Sequence, residues 1–213
     1  MTTIAVLGGT GPQGKGLALR WAVQGIPVII GSRDPQRAAQ AAAEVGHGVT
    51  GADNAEAAER ADVVLVAVPF AAHAQTLQDV ADAVGDKILI DCVNPLGFDK
   101  QGAYQLSVDE GSAAQQAQAL LPRARVVGAF HHVSAVLLAD LDHDLDIDVM
   151  VLGDDREATD EVIGLVDAIP GMRGVYAGRL RNAGQVEALT ANLIAINRRY
   201  KAHSGVRIMD LPE

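Results

Sequence analysis

The chain has 213 residues, 49% of them hydrophobic and 21% charged, enough to bury the core of one globular domain with a modest extension. A formal net charge of −10 argues against a nucleic-acid binder, and no apolar stretch reaches the about 18 residues that a membrane span needs. The single cysteine, Cys92, allows no internal disulfide, and no basic-then-apolar leader opens the sequence, so a soluble cytoplasmic protein is expected.

Hydrophobic periodicity gives the elements in order. "TIAVLG" (3–8) and "PVIIGS" (27–32) are short apolar runs bounded by glycine, and "GKGLALRWAVQ" (14–24) between them has helical spacing. "PQRAAQAAAEVG" (35–46) is a second helix, with Asp34 as its N-cap and Pro35 in its first turn. "ADVVLVAVP" (61–69) reads as a strand, "AAHAQTLQDVADAVGD" (71–86) as a helix and "KILIDCVNP" (87–95) as a strand. A helix at 112–121, the strand "ARVVGAF" (124–130) and a further strand in "DIDVMVLGD" (146–154) complete the pattern. Strands and helices alternate and the strands are apolar on both faces. This predicts an α/β, Rossmann-type doubly wound, mainly parallel sheet with a short C-terminal helical extension. The expected division is a dinucleotide-binding domain over residues 1–172 and an extension over 173–213.

Between the first strand and the first helix the sequence reads "GTGPQG". Gly9, Gly11 and Gly14 fit G-x-G-x-x-G in the strand–turn–helix context that makes the pattern specific. Gly9 allows the tight turn, Gly11 the approach of a pyrophosphate, and Gly14 close packing of helix on strand. Backbone N–H groups from Thr10 to Gln13 are expected to face the phosphates at the helix N-terminus. An NAD site usually places a carboxylate at the end of the second strand; here the strand ends "GSRDPQR". Ser32, Arg33 and Arg37 suit a 2′-phosphate, and Asp34 is assigned to capping, so the cofactor is expected to be NADP. Ligands of doubly wound folds lie outside the carboxyl ends of the strands, which places Val68, Pro69 and Phe70 beside the ribose and nicotinamide. His73 reads as a first-turn helix residue.

Together, "LGGTGPQGKGLALRWA", "IIGSRDPQRA", "VAVPFAAHA", "VVGAFHHVSA", "VLGDD" and "LRNAGQVEALTANLIAINRRY" resemble the F420-dependent NADP reductases over nearly the whole chain. The resemblance implies reversible hydride transfer between reduced coenzyme F420, a deazaflavin, and NADP+, in a homodimer of Rossmann domains with short C-terminal extensions. It implies NADP contacts at Thr10, Gly11, Pro12, Gln13, Ser32, Arg33, Arg37, Val68, Phe70 and Ala74, with Ala135 near the nicotinamide. The deazaflavin is expected near Val93–Gly97, including Asn94 and Pro95, and near Phe130–Ala135, including His131. The chain departs from the family pattern at Ser134, where a proline is expected, and at Asn94, where a less polar residue is expected.

Such chemistry belongs to the cofactors, and the protein supplies orientation and exclusion of water. No nucleophile or acid–base triad is found. His131 is the nearest candidate for a polar role, with a buried histidine bonded to backbone as the alternative. The aspartates alternating from Asp140 to Asp148 read as an exposed loop leading into an edge strand rather than a metal site, and no metal is expected. The last helix carries an apolar stripe, Val186, Leu189, Leu193, Ile194 and Ile196, that suggests a dimer interface. Residues 173–207 hold seven basic side chains against one acid, either a solvated face or a surface for an anionic ligand or partner. The expected partners are small-molecule cofactor substrates and a second copy of the chain, with no nucleic acid and no membrane. The alternatives are another NADP-dependent reductase, of imine or hydroxyacid type, and a non-catalytic NADP sensor. Imine and hydroxyacid families append a large helical domain, for which about 40 residues beyond the apparent sheet leave no room.

Overall fold

The computed structural model describes residues 2–211; Met1, Pro212 and Glu213, at the ends of the two expected domain ranges, lie outside the described residues. The first half follows the strand–helix alternation: β1 (Ile4–Leu7), α1 (Pro12–Val23), β2 (Val28–Ser32), α2 (Pro35–Val45), β3 (Thr50–Asp53), α3 (Asn54–Arg60) and β4 (Val63–Val66). Then come α4 (Phe70–Asp79), α5 (Ala81–Val84), β5 (Ile88–Asp91), the hairpin β6 (Leu96–Asp99) and β7 (Gly102–Gln105), and α6 (Ala113–Leu120). The remainder is β8 (Arg125–Gly128), α7 (Ala135–Ala139), β9 (Ile147–Gly153), α8 (Arg156–Asp167), β10 (Met172–Gly178), a 3-10 turn at Leu180–Asn182, and α9 (Ala183–Tyr200).

Eight strands form one sheet in the order β10-β9-β8-β5-β4-β1-β2-β3, and β6 pairs only with β7. From β3 to β8 every pairing is parallel, as the unbroken apolar strands require. Successive strand residues feed opposite faces. Ile4, Val6, Val63, Leu65, Ile88 and Ile90 pack with α1, α2, α7 and α8, while Ala5, Leu7, Val64, Val66 and Leu89 pack with α3, α4, α5 and α6. With few aromatics available, Trp21 and Phe130 meet edge to face at 5.5 Å, and the Trp21 indole donates to the Leu165 carbonyl.

Four expectations change. The helix read over 71–86 is two helices, broken at Val80, where the ladder is replaced by the tighter Val80-to-Leu77 bond. The strand in "DIDVMVLGD" is not an edge. β9 lies between β10 and β8, antiparallel to β8, and is buried along nearly its whole length. Its Asp148 is fully buried because Arg173, on the neighbouring β10, holds both carboxylate oxygens at 2.8 Å. The sheet therefore continues past residue 172, taking in β10, the first part of the segment assigned to the extension. Finally, β3, α3 and the β6–β7 hairpin had no place in the sequence reading; β3 is short and carries Gly51, and the hairpin lies outside the main sheet. None of the helices among the described residues is long and apolar enough to cross a membrane.

Candidate functional site

The glycine turn is built as the motif requires. A Cβ on Gly9 would lie 2.7 Å from the Val6 carbonyl oxygen, and one on Gly14 only 2.6 Å from the Gly9 Cα, so neither position admits a side chain. Gly11 is different: the nearest atom to its Cβ position is the Gly8 carbonyl oxygen at 3.7 Å. Nothing in the protein needs glycine at Gly11; a ligand approaching the backbone does. Gly11 is also the N-cap of α1 and offers no capping side chain, which leaves that helix end open to an anion. The run of donors is shorter than expected. Pro12 has no N–H, and the Gly11 N–H is taken by the Gly8 carbonyl at 3.2 Å, so Thr10, Gln13 and Gly14 supply the free amides.

At the end of β2, the Asp34 carboxylate accepts from the Gln36 amide at 2.9 Å and the Arg37 amide at 3.4 Å, as its capping assignment predicted. Ser32 Oγ accepts from the Asp34 amide at 3.2 Å, closing the turn. Arg33 and Arg37 are exposed, and among the described residues neither makes an ion pair. A cleft of about 460 Å³ runs from this edge to the end of β4, bringing together Thr10, Gly11, Ser32, Arg33, Asp34, Arg37, Val68 and Pro69. It also includes Gly8, Asn54, Ala67, Ala72 and Thr76, none of which the sequence singled out. Asn54 opens α3, directly after the overlooked β3, and that omission hid it.

A second pocket of about 270 Å³ adjoins the first, sharing Ala67 and Val68. Gln13, Cys92, Val93, Asn94, His131, Val133 and Thr190 line the rest of it. Chain segments leaving β4, β5 and β8 converge here with the N-terminus of α1 and the middle of α9. Phe130 adopts a left-handed φ of 65°, and its carbonyl accepts from the Gln13 side chain at 3.3 Å. The His131 carbonyl accepts from Asn94 Nδ2 at 2.8 Å and Thr190 Oγ1 at 2.9 Å. The His131 ring is buried with neither nitrogen bonded within the protein, so the backbone-bonded alternative does not describe it. Burial holds its pKa down at about 4, leaving a neutral imidazole with one donor and one acceptor. Two orphaned nitrogens beside a pocket fit a ligand with matching polar edges.

Other expected positions lie apart. Ala135 and Pro12 face a separate groove with Lys15, Gly16 and Glu44. Ala74, on α4, is outside both clefts, whereas Ala72 and Thr76 of the same helix are inside. Pro95 is buried, its carbonyl accepting from Leu106, and Phe70 stacks on His73 with centroids 6.1 Å apart. Cys92 donates its thiol to the Val66 carbonyl at 3.2 Å, and burial pushes its pKa up, as a small buried hydrophobe requires. His73 does occupy the first turn of α4, but its buried contact with Asp91 has no local signal in the sequence.

Comparison with known proteins agrees with this geometry. Residues 3–95 match the family described as NADP oxidoreductase, coenzyme F420-dependent. The F420-dependent NADP reductase of Methanothermobacter thermautotrophicus is 42% identical over 222 residues, spanning 99% of this chain and 96% of the relative. The crystal structure of a candidate F420-dependent NADP-reductase from Arthrobacter sp. FB24 superposes with a TM-score of 0.87 at 29% identity, covering 99% of this chain and all of that one. An imine reductase from Bacillus cereus shares the fold alone, at 17% identity and a TM-score of 0.66, and this chain covers only 63% of its length. With a relative this similar over its whole length, and the glycine turn, the arginine edge and the inner pocket all in place, the chain belongs to the F420-dependent NADP reductases.

Proposed function

We propose that the two adjoining clefts hold NADP and coenzyme F420 side by side, and that the protein transfers a hydride between them. When both are bound, they supply the chemistry themselves, a hydride moving between the deazaflavin ring and the nicotinamide. The observation that carries this reading is the shared wall: Ala67 and Val68 line the long cleft and the inner pocket alike.

Each residue has a physical task. The Thr10, Gln13 and Gly14 amides and the open end of α1 receive the pyrophosphate. Ser32 with the unpaired Arg33 and Arg37 receives the 2′-phosphate, because guanidinium groups match phosphate oxygens in a planar fork. Val68 and Pro69 form the wall at the nicotinamide end. Asn94 and Thr190 fix the His131 carbonyl, and the neutral His131 ring offers its unbonded nitrogens to the polar edge of the deazaflavin. Burial of Cys92, Val93 and Val133 keeps water from the reacting carbons.

The division into a dinucleotide-binding unit, residues 1–172, and an extension from 173 belongs to the same reading, with β10 of the extension completing the sheet. Ile196 and Tyr200 remain exposed on α9, which supports a homodimer formed through this helix. The test is to mix the protein with reduced F420 and NADP+ and follow the visible band of oxidised F420. The band should grow as NADPH forms, and remain absent with NAD+. Binding of NADP without any reaction with F420 would overturn the reductase reading.

A further inference from the structure

Behind the inner pocket lies a buried set of ionisable groups that hydride transfer itself does not use. His73, Asp91 and Glu187 are 0%, 0% and 1% exposed. His73 Nε2 stands 2.7 Å from Asp91 Oδ2, and Nδ1 stands 3.0 Å from Gln116 Oε1. The orientation of the Gln116 amide is set from outside, since its Nε2 donates to Glu110 Oε2 at 3.2 Å. Gln116 therefore presents oxygen to the imidazole, and Nδ1 must be the donor. A neutral ring would then turn an unprotonated Nε2 towards a carboxylate oxygen, lone pair against lone pair. A proton is held between Nε2 and Oδ2, in a short charge-assisted hydrogen bond. Burial works against a charged ring, but the bond to Asp91 and its charge, with help from Gln116 and Glu187, raise the His73 pKa.

The two partners sit at the roots of the two pocket walls. His73 is in the first turn of α4, three residues past Phe70. Asp91 ends β5, and its Oδ1 accepts from the Val93 amide at 2.9 Å, shaping the loop that leads to Asn94. Its backbone carbonyl accepts from Ala129 at 3.0 Å, so the segment leading to His131 hangs from the same residue. Around the pair stand the stacked Phe70 ring of α4, Gln116 of α6 with Glu110 before it, and Glu187 of α9. The Glu187 carboxylate accepts from the Ala113 and Ala114 amides at 3.0 and 3.1 Å.

We propose that the His73–Asp91 hydrogen bond is a positioning device for hydride transfer, tying the wall that carries Val68 and Pro69 to the wall that carries Cys92–Asn94. The inference rests on the reductase reading. The two cofactors lean on walls from different crossovers of the sheet, and parallel strands alone leave the loops at their ends free to shift. A short buried hydrogen bond between those loops fixes the separation of the two rings, on which a hydride step depends steeply.

The test compares single-turnover hydride transfer with NADP+ affinity. His73→Ala is expected to slow transfer about tenfold while NADP+ affinity, set by the distant arginine edge, stays within about twofold. Asp91→Asn is the conservative control: its amide can donate to a neutral Nε2 and still accept from Val93, so transfer should stay within about twofold of the parent. If His73→Ala does not fold, His73→Leu combined with Asp91→Asn fills the space without a stranded charge, and the same slowing is expected. A folded His73→Ala enzyme with undiminished transfer, or an equal loss in Asp91→Asn, overturns the proposal. An unmodified protein that does not turn over F420 overturns the reductase reading instead, so the two failures are distinct.

Discussion

The Asp34 carboxylate, at the rim of the cofactor cleft, accepts from the backbone amide of Arg37 at 3.4 Å and from that of Gln36 at 2.9 Å. A carboxylate beside a 2′-phosphate would repel it; as an N-cap it is engaged with the helix that carries one of the two phosphate-seeking guanidiniums. The consequence is a separation of roles that mutation can expose. Arg33→Ala should weaken NADP+ binding about tenfold and leave NAD+ binding within about twofold. Asp34→Ala should instead lower stability by about 1 kcal/mol. Titration with both nucleotides, read by fluorescence, separates the two effects; equal weakening of NADP+ and NAD+ by Arg33→Ala would remove the 2′-phosphate assignment.

The three motif glycines should respond differently to alanine. Gly14→Ala pushes a methyl group to 2.6 Å from the Gly9 Cα and is expected to cost about 1–3 kcal/mol of stability. Gly11→Ala meets only an ordinary contact with the Gly8 carbonyl oxygen and has an ordinary backbone φ of −79°, so it should fold normally and lose nucleotide affinity. Urea unfolding paired with NADP+ titration checks this. A Gly11→Ala variant that binds NADP+ as the parent does would move the pyrophosphate elsewhere.

Acid should destabilise the protein through its histidine pair. Burial holds both His131 and His132 at a pKa of about 4, below the unfolded value of about 6.5. The folded values are depressed, so this contribution is fully present above pH 6.5 and is lost as pH falls towards 4. Burial raises Glu187 to about 7, which acts in the opposite sense: its stabilising protonation is present at low pH and lost as pH rises to about 7. The raised pKa of His73 acts in the same sense as Glu187, so the contribution of the depressed histidines is read by comparing a variant with the parent between pH 7 and pH 5. His132 Nε2 accepts from the Met150 amide, which a glutamine oxygen can replace, so from pH 7 to pH 5 His132→Gln should lose less urea stability than the parent. An equal loss would mean that His132 titrates in the fold as it does in the unfolded chain.

The proposed dimer has a simple solution test. Ile196 is 41% exposed and Tyr200 69% exposed on α9, while Val186 and Leu193 of the same helix are buried against the protein's own body. Ile196→Glu should convert a dimer to a monomer in sedimentation velocity without changing the far-ultraviolet circular dichroism. A monomeric parent protein would rule out this use of the helix.

Removing Arg173 should unsettle the far edge of the sheet. Its guanidinium and the Ile208 amide together satisfy the buried Asp148 carboxylate, and they lower its pKa. Arg173→Ala leaves that carboxylate short of partners in the interior, whereas Arg173→Ala with Asp148→Asn removes the charge as well. The double variant should be the more stable of the two in urea, and the single variant should lose further stability as pH rises through the carboxylate range. The reverse order would show that solvent reaches Asp148.

The residues that could be read from the chain are those whose role depends on their immediate neighbours. The apolar strands, the spacing of Gly9, Gly11 and Gly14, the Asp34–Pro35 start of α2 and the Ser32–Arg33–Arg37 edge are all local patterns. Backbone sterics and helix capping act over a few residues, so such patterns survive without knowledge of the fold. What brings Asp91 to His73, Glu187 to the start of α6, or Asn94 and Thr190 to the His131 carbonyl is the order in which strands enter the sheet. That order joins residues 18 to 96 positions apart. The same holds for β9, which composition alone presented as a polar edge and which the sheet places in its interior, because Arg173 on the next strand neutralises its buried aspartate. Buried charge is the least readable feature of a sequence, since its cost is met only by a partner that folding supplies.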